Sequence, residues 1–167
     1  MNEDWIDRIV QRWSSLDPDL DFNPYLVTGR ISRISAHIAR RQEEVFGRFG
    51  LNRGDVGVLS ALRTAGPPHL LSPTQLFKGL MLSSAGMTSR LDRLESRGLV
   101  ARQDDPGDRR GVLVQLTPKG LELVDAAVAA NTAEEKDILD GMGPKDVESL
   151  GRLLRVLLSR LEDLDGD

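Results

Sequence analysis

Asp108, Arg109 and Arg110 follow Pro106 and Gly107 in the stretch DDPGDRRG, residues 104–111. Two arginines on a narrow, stiff turn suit a groove of negative potential such as the minor groove of double-stranded DNA. The aspartate beside them can hold one guanidinium by a two-point hydrogen bond. A second group lies upstream, in residues 83–97. At about 100° per residue, Met87, Leu91 and Leu94 share one apolar face, and Ala85, Gly86, Ser89, Asp92 and Arg93 fall on the opposite half. Small residues at the start of a helix let its backbone approach a phosphate or a base closely, and the free N–H groups there favour phosphate oxygens. Ser83, Ser84, Thr88 and Ser89 add hydroxyl donors, and Arg93 can reach a phosphate or a guanine edge. With Ser72 and Gln75 at the start of the preceding helical segment, these residues form a candidate DNA-facing set.

Arg90 behaves differently. It lies beside Leu94 at the margin of the apolar face, where an arginine usually pairs with a carboxylate of a neighbouring helix. Asp55 is the nearest candidate. Catalytic chemistry finds no support. The 167-residue chain has no cysteine, which removes disulfides, thiolate metal sites and thiol nucleophiles together. His37 and His69 stand apart and match no metal-ligand spacing. No Gly-rich phosphate loop and no nucleophile–base pair is present, so the chain is not expected to be an enzyme or to hold a cofactor or metal.

The net charge of −4 is unevenly spread. Residues 30–110 carry 14 basic and 8 acidic side chains, a net of +6, and the two flanks together carry −10. A basic middle between acidic ends permits a polyanionic partner. No run of 18 apolar residues exists, and the opening MNEDWIDRIV is acidic. Neither a membrane span nor a secretory signal is read, and the expected location is cytoplasmic.

Elements must position these residues. Trp5, Ile9, Trp13 and Leu16 recur at helical spacing in residues 4–16, and DPDLDFNP (17–24) reads as a linker. Residues 25–49 form a long helix ended by Gly50, and 53–65 another, stopped by Gly66-Pro67-Pro68. Ser72 caps a short helix with Pro73 at its first position. After a turn at 81–83, a second helix runs to Arg97. Then LVARQ (99–103) and VLVQL (112–116) change to strand period around the loop 104–111. Helix, turn, helix and hairpin in this order make a winged helix-turn-helix, mainly α with a small β-wing. Thr117-Pro118 opens a further helix, and Gly143-Pro144 the last. There Val147, Leu150, Leu154, Leu157, Leu161 and Leu164 repeat at spacings of three and four, a seam that suits either an intramolecular core or a dimer interface, the dimer being favoured because an acidic arm beyond the wing otherwise has nothing to bury against. The division expected is residues 1–50 and 117–167 for dimerisation and 51–116 for DNA binding.

The stretches MTSRLDRLESRGLV (87–100) and DDPGDRRGVLVQLTPKG (104–120), with the Leu-rich closing helix, resemble the MarR family of bacterial transcriptional regulators. The resemblance spans roughly residues 25–165. It implies a homodimer whose N- and C-terminal helices interlock and which binds a pseudo-palindromic operator, usually as a repressor relieved by a small ligand. The added N-terminal helix and LSSAGMTSRLDRLESRGLV resemble a urate-responsive subgroup. That resemblance implies a ligand site built from a tryptophan of the added helix, an aspartate and an arginine of the helix before the helix-turn-helix, and an arginine of the recognition helix. Trp13 and Arg90 match. The other two positions fall on Gly57 and Thr64, with Asp55 and Arg63 close by. Trp13, Asp55, Arg63 and Arg90 are therefore the candidate ligand residues, and a flat indole with an arginine suits an anionic aromatic molecule. Two other readings remain: a winged-helix regulator without a small-molecule ligand, and a protein-interaction module. The module would be expected to show a neutral wing and a bulky start to the recognition helix.

Overall fold

The computed structural model describes residues 3–80 and 84–165, the side chains of 77–80, 84–85, 108–110 and 165 excepted. In chain order the elements are α1 (Trp5–Leu16), α2 (Asn23–Gly47), α3 (Arg53–Thr64), β1 (Leu70–Leu71), α4 (Pro73–Leu80), α5 (Ser84–Ser96), β2 (Val100–Asp105), β3 (Asp108–Leu116), α6 (Pro118–Ile138) and α7 (Pro144–Asp165). The fold is mainly α, with one antiparallel sheet in the order β1-β3-β2. The chain divides into two compact units, Met1–Val128 and Ala129–Asp167.

Local chemistry explains the helix starts. Asp4 caps α1 through the amides of Ile6 and Asp7, and Asp7 returns a bond to the Asp4 amide. Asn52 and Asp55 make the same reciprocal box at the start of α3. Ser72 and Gln75 make a third at α4: Ser72 Oγ accepts from the Gln75 amide at 3.2 Å and Gln75 Oε1 from the Ser72 amide at 2.8 Å. Thr117 Oγ1 accepts from the Gly120 amide at 3.0 Å and donates to Gly98 O at 2.8 Å, which ties the start of α6 to the end of α5.

The core of the first unit collects Val58, Leu59 and Leu62 from α3, Leu76 from α4, Met87, Leu91 and Leu94 from α5, and Val100, Val114 and Leu116 from the sheet. These are branched or unbranched aliphatics, as a chain with so few aromatics requires. Met87, Leu91 and Leu94 are the face that the helical wheel points inward.

Two differences from the sequence reading have physical causes. β1 was not expected: two residues are too short to show a period, and pairing with β3 (Leu70 with Gln115, Leu71 with Val114) makes the strand. The hairpin loop is shorter than 104–111. The ladder continues to Asp105 opposite Asp108, with an irregularity at Asp104/Asp105, leaving Pro106 and Gly107 as the turn. Asp108, Arg109 and Arg110 therefore stand on β3 rather than in a loop. In α1 the buried side chain is Ile6, and the apolar residues at 5, 13 and 16 remain exposed.

In the second unit, α7 carries the leucine seam. Leu150, Leu154, Leu161 and Leu164 are exposed, as are Leu153, Val156 and Leu158 beside them. No described helix is long and apolar enough to cross a membrane.

Candidate nucleic-acid interface

The sequence places small and hydroxylated residues at the start of α5, and the fold leaves Gly86, Thr88 and Ser89 of them exposed because the opposite face supplies the core. Gly86, Thr88, Ser89, Asp92 and Arg93 are exposed, while Met87, Leu91 and Leu94 are buried. Ser84 opens α5; Ser83, with the turn 81–83, lies outside the described residues. Asp108, Arg109 and Arg110 sit at the tip end of β3, and their side chains also lie outside the description. Ser72 and Gln75 are committed to the α4 capping box, with Gln75 exposed.

The wing is fixed to the recognition helix by a residue that the sequence reading passed over. Arg102 of β2 donates through Nη2 to Asp92 at 2.6 Å and through Nη1 to Glu95 at 2.8 Å. Its own amide donates to the other Glu95 oxygen at 3.0 Å. The hydrogen bond to Asp92 raises the Arg102 guanidinium above its ordinary pKa, against a desolvation that lowers it. Two carboxylates three residues apart on a helix, followed by an arginine one strand later, were the available signal. Behind this clamp lies a cavity of about 440 Å³ lined by Pro73, Thr74, Met87, Thr88, Leu91, Arg102 and Val112.

Asp55, only 2% exposed, anchors the recognition helix from below. Arg90 Nε lies 3.6 Å from its Oδ1, the pairing expected from sequence. Arg93 is the closer partner, with Nη2 donating to the same oxygen. Arg90 is admitted by the glycine at the start of α3: a Cβ on Gly54 would lie 2.3 Å from Arg90 Nη2.

The four candidate ligand residues are not brought into one site. Asp55 and Arg90 are together. Arg63 pairs with Asp125 of α6, Nε to Oδ1 at 2.9 Å, and Trp13 stacks on Phe22 with ring centroids 6.0 Å apart and is 52% exposed. A different aromatic–arginine pair occurs between α1 and α2. Arg33 lies 5.2 Å over the Trp5 ring, beside a cavity of about 490 Å³ that Tyr25, Thr28 and Gly29 also line. α1 is held to α2 by Arg30, which bonds Asp4 at 2.8 Å and Asp7 at 2.6 Å. Those hydrogen bonds hold both carboxyls below the ordinary aspartate value. Among the described residues no group of three or more metal-ligating side chains comes together.

Comparison with known proteins gives one consistent answer. Residues 49–111, which span α3 to the wing arginines, match a family model described as the MarR family. The transcriptional regulator PecS of Dickeya dadantii is 40% identical over 154 residues, covering 92% of this chain and 90% of PecS. Among solved structures, a mutant of Escherichia coli MarR in complex with operator DNA superposes with a TM-score of 0.70. It is 27% identical and covers 83% of this chain and 99% of that one. BpsR of Bordetella bronchiseptica, from a structure titled for the regulation of its DNA binding by 6-hydroxynicotinic acid, gives a TM-score of 0.62. It is 28% identical, covering 77% of this chain and 98% of that one.

Proposed function

The chain belongs to the MarR family of DNA-binding transcriptional regulators, and from that premise we propose that it is a cytoplasmic repressor, binding a pseudo-palindromic operator as a homodimer and released by a small anionic aromatic molecule. The observation that carries this reading is the outward face of α5. A recognition helix with Thr88, Ser89 and Arg93 exposed, clamped through Arg102 to a wing that brings Arg109 and Arg110 to its tip, has the shape and charge to read a major groove and touch the adjacent minor groove. Ser72, Gln75, Ser83, Ser84 and Asp108 complete the proposed contact set, the polar ones against phosphate and Asp108 as an anchor for a wing guanidinium.

The proposed effector acts at Arg90, competing with Asp55 for its guanidinium, with Trp13 and Arg63 as the further ligand residues. Two things support an anionic aromatic ligand. An arginine at the edge of a buried carboxylate is a natural anion receptor, and the relative BpsR has its DNA binding regulated by an aromatic acid. Such a ligand releases DNA only if it binds the free shape of the protein more tightly than the DNA-fitted one.

Titration of aromatic acids and purines into the complex of the protein with DNA from upstream of its own coding sequence tests this. Release by at least one of them, lost in Trp13→Phe and in Arg90→Lys, is expected. Release that both variants leave unaltered contradicts the assigned site, and no release at all contradicts the effector.

A further inference from the structure

Asp55 faces two arginines with one oxygen. Its Oδ2 is occupied, accepting from the Asn52 amide at 3.1 Å, and the Asp55 amide donates to Asn52 Oδ1 at 2.8 Å. The reciprocal cap fixes the carboxylate, so it cannot swing to follow a departing partner. Oδ1 takes Arg93 Nη2. Arg90 Nε stands 3.6 Å from the same oxygen, beyond hydrogen-bond reach, and is buried without a hydrogen-bond partner. The cluster thus holds one more cation than this carboxylate neutralises.

The two arginines differ in freedom. Arg93 is 47% exposed and one turn from Ser89 on the outward face of α5. Arg90 is 19% exposed and fills the gap at Gly54, where any side chain would displace it. Arg93 can reach a phosphate; Arg90 cannot do so without leaving its pocket. A buried carboxylate stripped of its partner is strongly disfavoured, so Arg93 is free to leave only if another cation takes Oδ1.

We propose that Arg90 is the reserve counterion of Asp55: as Arg93 exchanges the carboxylate for a DNA backbone phosphate, Arg90 Nε closes on Oδ1 and keeps the recognition helix anchored to α3. Arg90 is then a positioning residue for DNA binding that does not itself touch DNA. The proposal rests on the DNA-binding reading above.

The test compares wild type, Arg90→Met, Arg93→Ala, the double variant, and Arg90→Met combined with Asp55→Asn, on duplexes from upstream of the protein's own coding sequence across a salt series. Arg90→Met is expected to weaken binding roughly tenfold and to lower the salt slope by about one counterion per protomer. Arg93→Ala should do the same, and the double variant no more. Asp55→Asn should restore the slope in the Arg90→Met background, because a neutral side chain lets Arg93 go. An unchanged slope in Arg90→Met overturns the exchange. So does additive loss in the double variant, or failure of Asp55→Asn to rescue, since either makes Arg90 a direct DNA contact. A readout on the wild type stands independently of how the variants fold: the Arg90 Nε proton should exchange more slowly with solvent once DNA is added, and unaltered exchange overturns the proposal. A wild type that binds none of the duplexes removes the DNA reading itself and the exchange with it.

Discussion

At the scale of single residues, close approach to backbone matters more than charge. A Cβ on Gly120 would lie 2.1 Å from the Leu99 carbonyl oxygen, where α6 crosses the end of α5. That oxygen cannot move without moving the chain, so Gly120→Ala should cost about 1–3 kcal/mol, read as a lower urea midpoint. Gly54→Ala meets the far end of the Arg90 side chain instead, at 2.3 Å. It should cost less stability than Gly120→Ala, and equal losses in the two variants would contradict the distinction. The pairing of Arg90 with Asp55 was legible in the sequence, because the wheel puts Arg90 at the margin of the apolar face. Arg93 as the nearer partner was not legible: the wheel gives its angle, but not the reach of a guanidinium around the helix. Arg102 was missed for a related reason, since its partners lie on another element and nothing local to its strand marks it.

Elements were the most legible level, and their attachments the least. The helices from α1 to α7 lie where caps, prolines and terminal glycines put them, within a few residues. How α1 docks was not visible: the spacing of Trp5, Ile9, Trp13 and Leu16 marks a helix but neither the buried side chain, which is Ile6, nor the clasp, which Arg30 supplies. The clasp predicts a pH dependence. Asp4 and Asp7 are held below the ordinary value of 3.8 when folded, chiefly by their hydrogen bonds to Arg30. A depressed carboxylate contributes stability above its unfolded pKa and loses it as the pH falls. Docking of α1 should therefore hold from neutrality down to about that value and weaken below it, followed by tryptophan emission. Arg30→Ala should loosen α1 already at neutral pH and flatten the acid response; a variant that keeps the wild-type acid response would contradict the clasp. The wing carries a second prediction. Arg110→Ala should leave the fold intact, weaken operator binding and lower the salt slope by about one counterion or less per protomer. Unchanged affinity in a gel shift would mean that the wing stays out of the groove.

For the whole molecule, the central question is what covers α7. Seven large apolar side chains between Leu150 and Leu164 are exposed, while Leu157 of the same seam is half-buried. The exposed band is wider than the seam read from the sequence, which skipped Leu153, Val156 and Leu158. Soluble proteins rarely leave so large an apolar face open to water, and a second copy of the chain is the covering that the reading proposes. Leu157→Asp should therefore shift the dimer toward monomer in sedimentation and weaken DNA binding along with it. A dimer and an affinity both untouched by the substitution would place the interface elsewhere. The sequence could mark this helix as a seam but not say what packs on it, because an apolar repeat serves an intramolecular core and a dimer equally well.

Dimer, recognition helix and wing come together in one observable, the footprint of the protein on DNA upstream of its own coding sequence. Nuclease protection of titrated duplexes measures it most directly. The account predicts two protected half-sites related by an approximate dyad, with centres about 10 bp or a small multiple apart, filled together at a single protein concentration. Protection of one asymmetric half-site, or of no defined sequence, would contradict it.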